Sequence, residues 1–220
     1  MNIYPVVNYL DRPVAFAQAT IVGLAGAHGL FLKADKGNDA ELVAVAADIK
    51  RQNPFLDIGV SLMSKPAAVA VAMAADSGLD MVLADMGVTH QGLTSIGMEL
   101  ARLATTHHRL KLFSSMAIGH HALGVESAQA ANNAIMAGFV PTASSDEDGA
   151  APSLATVIHV SNVVAGKLAV ASGLTPDNIS SYAPYVDHAL ATGVGIGTGG
   201  SRININKLRR FVENAERRAA

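Results

Sequence analysis

Apolar positions along the chain fall into two alternating kinds of run. Short, nearly continuous hydrophobic runs are followed by longer ones whose apolar residues recur at helical spacing. The first pair predicts a strand over Ile3–Leu10 and an Ala-rich helix over Arg12–Gly26. Further strands are expected at Gly29–Ala34, Asp57–Leu62, Leu79–Asp85, Leu110–Ser115, Phe139–Ala143, Lys167–Ser172 and Asp187–Thr192. Helices are expected over Asp39–Gln52, Lys65–Ser77, Thr94–His107, Glu126–Ala137 and Ser153–Ala165, after Thr175-Pro176-Asp177, and over Asn206–Arg218. Local punctuation agrees with these bounds. Asp39 is placed as an N-cap, Pro66 opens a helix, and Gly78, Gly138 and Gly166 each follow one.

The result is about eight strand–helix units of roughly 25 residues each, and strict alternation implies parallel strands with right-handed crossovers. Eight such units predict a closed (β/α)8 TIM barrel, a fold that usually takes about 250 residues. A doubly wound open sheet is the rival arrangement. No linker or break in composition divides the chain, so residues 1–220 read as one domain.

Composition narrows the function classes. Half of the 220 residues are hydrophobic, only 15% are charged, and mean hydropathy is +0.30, which is too apolar for disorder. Charge, Gly or Pro interrupts each apolar run too early for a membrane span. The net charge of -2, without a basic block, argues against a nucleic-acid partner. With no Cys, disulfides, thiolate metal sites and cysteine nucleophiles are excluded. The N-terminal residues lack a signal-peptide pattern, so the expected location is cytoplasmic. Two predicted outer helices, Pro66–Ala75 and Ser153–Gly166, carry no Asp, Glu, Lys or Arg. A second subunit covering part of the outer surface is therefore expected, making a homo-oligomer. The alternative is that Ala-rich faces tolerate water.

Barrel active sites lie at the C-terminal ends of the strands, and this filters the polar residues. Asn8, Lys33, Asp35, Ser61, Ser64, Asp85, His90, Ser114, Ser115, His120, His121, Thr142, Ser144, Ser145, Ser172, Thr175 and Thr192 pass. Ser172-Gly173-Leu174-Thr175-Pro176-Asp177-Asn178, followed after the next strand by Gly193 through Ser201, has the form of a phosphate cradle. Backbone N–H groups and Gly-rich turns after strands seven and eight bind phosphate in many barrels. The plain alternative is a turn, a cap and a Gly-rich loop. Gly195–Gly200 also fits G-x-G-x-x-G, but no βα unit follows it.

Among the eight His, His120 or His121 after strand five is the acid/base candidate, against a solvated pair. His107 and His108 suit a helix C-terminus. His28 and His188 sit at the opposite, stabilising face, and His159 reads as a packing residue in an apolar helix. Asp85 could serve as a base, hydroxyl-binding group or metal ligand. Lys33 and Asp35 offer similar chemistry or a surface ion pair. The acidic loop at Asp146-Glu147-Asp148 reads as solvated. No motif identifies a cofactor or metal.

Several segments together resemble the BtpA family, which includes SgcQ-like proteins. They are Asp57–Leu62, Thr89-His90-Gln91-Gly92-Leu93 running into Glu99-Leu100-Ala101-Arg102, Lys111–Phe113, the His120 region, Ser172–Asn178, Tyr185-Val186-Asp187 and Asn204–Phe211. Their shared order covers about residues 57–213. The resemblance implies a ribulose-phosphate-binding barrel. The family has been linked to photosystem I biogenesis and to sugar or nucleoside genes. The chain departs from the family pattern at Lys33 and Ala34, Ser61, Ser115, Gly119-His120 and Thr192-Gly193. The phosphate grip is better retained than the catalytic charges. Ser172–Asn178 also looks like phosphoribosylanthranilate isomerase. That enzyme would need a Cys base on strand one and an Asp on strand six. Here Asn8 stands near the first position, and Thr142 or Ser145 near the second.

Two functions are therefore expected. One is an enzyme acting on a phosphorylated sugar or nucleotide, by isomerase, lyase or glycosyl-transfer chemistry. Asp85 and His120 would move protons, and Lys33 would stabilise negative charge. Ser172, Gly173, Thr175, Thr192, Gly193, Gly195, Asn8 and Ser115 would hold the ligand. The other is a non-catalytic binding or assembly factor on the same scaffold.

Overall fold

The computed structural model describes residues 1–217 apart from 35–36, 118–123, 146, 148, 193–195 and 198–201. Eight barrel strands run in chain order: β1 (Asn2–Asn8), β2 (Gly29–Ala34), β3 (Asp57–Leu62), β4 (Met81–Ala84), β5 (Lys111–Ala117), β6 (Val140–Ser144), β7 (Ala169–Ala171) and β8 (His188–Thr192). Each pairs in parallel with its neighbours, and β8 pairs with β1 to close the ring. The expected barrel is the observed fold, and the open sheet is excluded.

Helices follow the strands: α1 (Arg12–Leu24), α2 (Asp39–Gln52), α3 (Ala67–Asp76), α4 (Ser95–Thr106), α5 (Gly124–Met136), α6 (Leu154–Val163), α7 (Ile179–Tyr182) and α8 (Ile205–Glu216). The seventh is a single turn continued by a 3-10 turn at Ala183–Tyr185, shorter than its Thr-Pro-Asp opening suggests. An unpredicted hairpin, Val88–Thr89 with Gly92–Leu93, lies between β4 and α4. Its Thr89 carbonyl accepts from Asn133 Nδ2 of α5 at 2.9 Å.

Strand hydrophobicity is nearly continuous because both faces are buried. On β2, Leu30 and Leu32 pack toward the helices, while Phe31 faces the barrel axis. The interior is filled by Tyr4, Phe31 and Phe113, whose rings meet edge to face at 5.4–6.1 Å. Gly59 makes room for them, since a Cβ there would lie 2.6 Å from the Phe31 ring.

Two expectations change. Asp39 is not the N-cap of α2: Asn38 holds that position, without a side-chain bond. Asp39 is instead buried in the first turn, where its carboxylate accepts from Ser64 Oγ at 2.5 Å. His159 is exposed on α6 and is not a packing residue. No helix among the described residues is long and apolar enough to cross a membrane.

Candidate functional site

The period-two geometry of the strands decides which polar side chains enter the barrel mouth. Residues two positions beyond an inward apolar residue face inward again. Val6 therefore leads to Asn8, Phe31 to Lys33, Gly59 to Ser61, Leu83 to Asp85, Phe113 to Ser115 and Leu190 to Thr192. All six of these polar residues line a cavity of about 430 Å³ at the C-terminal ends of the strands. Asn8, Lys33 and Ser61 form one rung, paired across β1, β2 and β3.

Ser172 reaches the same cavity by another route. Alternation past Ala171 would send it toward the helices. Its backbone instead turns left-handed, with φ of 66°, and the side chain lines the mouth. The sequence-predicted residues Asn8, Lys33, Asp85, Ser115, Ser172 and Thr192 are thus brought together. Gly173 and Thr175 do not line the cavity but stand in the turn behind Ser172. Thr175 is engaged within that turn: its N–H donates to Asn178 Oδ1 at 2.8 Å, and its Oγ1 accepts from the Asp177 N–H at 3.3 Å. His120, Gly193 and Gly195, like Asp35, His121, Asp146 and Asp148, lie outside the described residues.

The two ends of the barrel differ in how their polar groups are satisfied. At the N-terminal end, Asp57 Oδ2 accepts from Tyr4 Oη at 2.8 Å and from Lys111 Nζ at 2.7 Å. His188 stacks on Tyr4, and its Nδ1 lies 3.4 Å from Asn2 Nδ2. Burial, followed by the Lys111 ammonium, pushes His188 down to about 4. Burial raises the Asp57 carboxyl, but its bonds from Lys111 and Tyr4 outweigh that and hold it below the usual range. Burial and the Asp57 carboxylate push the Tyr4 phenol up. This floor satisfies itself.

The mouth does not. Among the described residues, the side chains of Asn8, Lys33, Ser115, Ser172 and Thr192 have no hydrogen-bond or ion-pair partner. Asp85 accepts one bond, from the Gly87 N–H at 2.9 Å. One ammonium, one carboxylate and several hydroxyls therefore converge with most of their hydrogen-bonding capacity open. Such a set can bind a polyhydroxylated anion and move a proton on it. No group of three or more His, Asp or Glu suited to a metal occurs among the described residues.

The sequence pattern points to these mouth residues but not to the hairpin or to the bonds that connect the floor. Tyr4, Asp57, Lys111 and His188 lie within three residues of the starts of their strands. That shared placement was the available signal.

No protein-family model and no curated protein matches the chain. Solved structures do. Phosphoribosyl anthranilate isomerase from Thermotoga maritima is similar with a TM-score of 0.70 at 13% identity, covering 98% of both chains. (S)-3-O-geranylgeranylglyceryl phosphate synthase from Thermoplasma acidophilum, in complex with its substrate sn-glycerol-1-phosphate, gives 0.69 at 11% identity, covering 98% of this chain and 93% of that one. A native KDPGal structure gives 0.69 at 16%, covering 97% and 94%. At these identities the likeness shows architecture, and what it establishes is that the chain is a closed (β/α)8 barrel of the kind these proteins share.

Proposed function

We propose that the barrel mouth binds a phosphorylated sugar or nucleotide and acts on it by isomerase, lyase or glycosyl-transfer chemistry. The observation that carries this reading is the contrast between the self-satisfied floor and the five mouth side chains, Asn8, Lys33, Ser115, Ser172 and Thr192, that have no partner among the described residues. Ser172, Thr192, Gly193 and Gly195 hold the phosphate together with the turn at Gly173, Thr175 shapes that turn through its bonds to Asn178 and Asp177 rather than touching the ligand, and Asn8 and Ser115 contact the remainder of the ligand. Asp85 and His120 transfer protons, while Lys33 stabilises the negative charge that develops. The complex of a structural neighbour with sn-glycerol-1-phosphate supports the ligand class. Membership of the BtpA family rests on the order of the sequence motifs, and the barrel is compatible with it.

Isothermal titration with ribose 5-phosphate and ribulose 5-phosphate tests the reading. The protein binds at least one, and Lys33→Met weakens it by about 10–100-fold, the loss of one charge-assisted contact. Asp85→Asn keeps binding but removes turnover. Absence of heat with both probes, under conditions where the barrel is folded, overturns the proposal. Retained cellular function in Asp85→Asn and His120→Ala favours the assembly-factor alternative.

The outer surface supports self-association. Val69 on α3 and Ile96 and Met98 on α4 are exposed. A second copy covering the adjoining α3 and α4 faces would remove this apolar surface from water. Sedimentation velocity should show a dimer or larger species that Val69→Lys with Ile96→Lys converts to monomer. A wild-type chain that sediments as a monomer at tens of micromolar, roughly the range of weak self-association, removes this part of the proposal.

A further inference from the structure

We infer that Asn178, which lies outside the cavity, is a positioning residue for anion binding: it aims the backbone amides of the turn after β7. The inference rests on the phosphate reading above and deepens it.

The turn is fixed from several sides. Gly173 presses on the α6-side loop so closely that a Cβ would lie 1.9 Å from the Ala151 nitrogen. Asn214 Nδ2 on α8 donates to the Pro176 carbonyl at 2.7 Å, and Arg210 pairs with Asp177. Within the turn, the Asn178 amide bridges both arms. Its Nδ2 donates to the Gly173 carbonyl at 2.9 Å, and its Oδ1 accepts from the Thr175 N–H at 2.8 Å.

That bridge has a directional consequence. No peptide bond among the described residues is cis, so the carbonyl and N–H of the Gly173–Leu174 peptide point in opposite directions. With the Gly173 carbonyl held toward Asn178, the Leu174 N–H is turned away from it. Gly173 and Leu174 are both buried, and Leu174 is 0% exposed. Neither N–H finds an acceptor among the described residues. Buried amides without an acceptor are rare, and their natural partner is an anion or a water. Asn178 thus orients the Leu174 donor, next in the turn to the Gly173 N–H and Ser172, without itself touching the ligand, which removes reorganisation from the cost of binding.

The test compares Asn178→Ala, Asn178→Asp and Asn214→Ala by titration with inorganic phosphate and ribose 5-phosphate, and by thermal melting. Asn178→Ala should weaken both probes by about tenfold or more, the scale of a misdirected hydrogen bond to a charged group. Its melting temperature should fall by a few degrees, comparably to that of Asn214→Ala, because two backbone groups of the turn lose their partners. Asn178→Asp, which keeps the acceptor for Thr175 but loses the donor to Gly173 and adds negative charge, should bind more weakly still. Asn214→Ala loosens the turn from behind and should lower the melting temperature without a comparable loss of affinity. If Asn178→Ala does not fold, Asn178→Ser carries the same comparison. Wild-type binding with Asn178 variants within about twofold of it overturns this inference and leaves the phosphate reading standing. Loss of affinity in step with melting temperature across all three variants also overturns it, because the role is then structural. A wild-type protein that binds neither probe removes both.

Discussion

Gly173→Ala leaves a folded barrel that binds ribose 5-phosphate on the order of 100-fold more weakly. Two effects coincide at this position. Its φ of 59° is left-handed, which costs a residue with a Cβ roughly 1–2 kcal/mol. The added Cβ would also lie 1.9 Å from the Ala151 nitrogen and 2.1 Å from the Ala150 carbonyl carbon. Both are backbone atoms and cannot rotate aside as a side chain would. The turn must therefore separate from the 150–151 segment, carrying Ser172 and the two open amides with it. A total stability loss of about 2–4 kcal/mol is expected from strain and clash together. Displacement by an ångström or so costs on the order of 100-fold in a positioned site. Gly78→Ala is the control, because its φ of 68° imposes the same strain while nothing lies within 4 Å of the new Cβ. It should lose about 1–2 kcal/mol in urea unfolding and bind normally. Near-wild-type affinity in Gly173→Ala would show that this turn is not where the phosphate sits.

The barrel was legible because both faces of every strand are buried, giving short apolar runs that no amphipathic helix would produce. The mouth followed from the barrel, since Asn8 ends β1, Asp85 follows β4, and Lys33 and Ser115 lie in the C-terminal halves of β2 and β5. Ser172 was named for its motif rather than its direction. Nothing in its identity announces a left-handed backbone, and the close packing of the next residue, Gly173, on Ala150 and Ala151 joins parts of the chain that no local pattern relates. Asp39 illustrates the opposite case. Its type and position suit an N-cap, but Ser64, 25 positions along the chain, draws its carboxylate inward. The hairpin at Val88–Leu93 has only two-residue strands, too short for periodicity to register. Its contact with Asn133 joins segments 44 positions apart in the chain, which no local pattern carries.

Acidification from pH 7 to 5 should destabilise the protein through its barrel floor, well before carboxylates protonate in bulk. His188 titrates at about 4 in the fold against an ordinary value of 6.5. Above 6.5 the ring is neutral in both states, and it costs nothing. Between 6.5 and 4 the unfolded chain binds a proton that the native state refuses, so stability falls with decreasing pH. One such group gives a slope of up to about 1.4 kcal/mol per pH unit, or about 2 kcal/mol lost at pH 5. His28, also lowered, by burial and the N-terminal amine, adds to the fall in the same direction. Asp57, held low by Lys111 and Tyr4, contributes a further loss as pH drops below its ordinary 3.8. The physical origin is geometric. A protonated imidazole would be buried against the Tyr4 and Phe113 rings, beside an ammonium already committed to Asp57. His188→Phe keeps an aromatic ring in that stack but cannot titrate. Urea unfolding at pH 7 and pH 5 should therefore show a smaller pH loss in His188→Phe than in wild type, by about 2 kcal/mol. His188→Gln should do the same if the larger ring strains the floor. Parallel pH profiles for wild type and both variants would mean that His188 takes up its proton in the folded barrel, and that the floor can open to admit it.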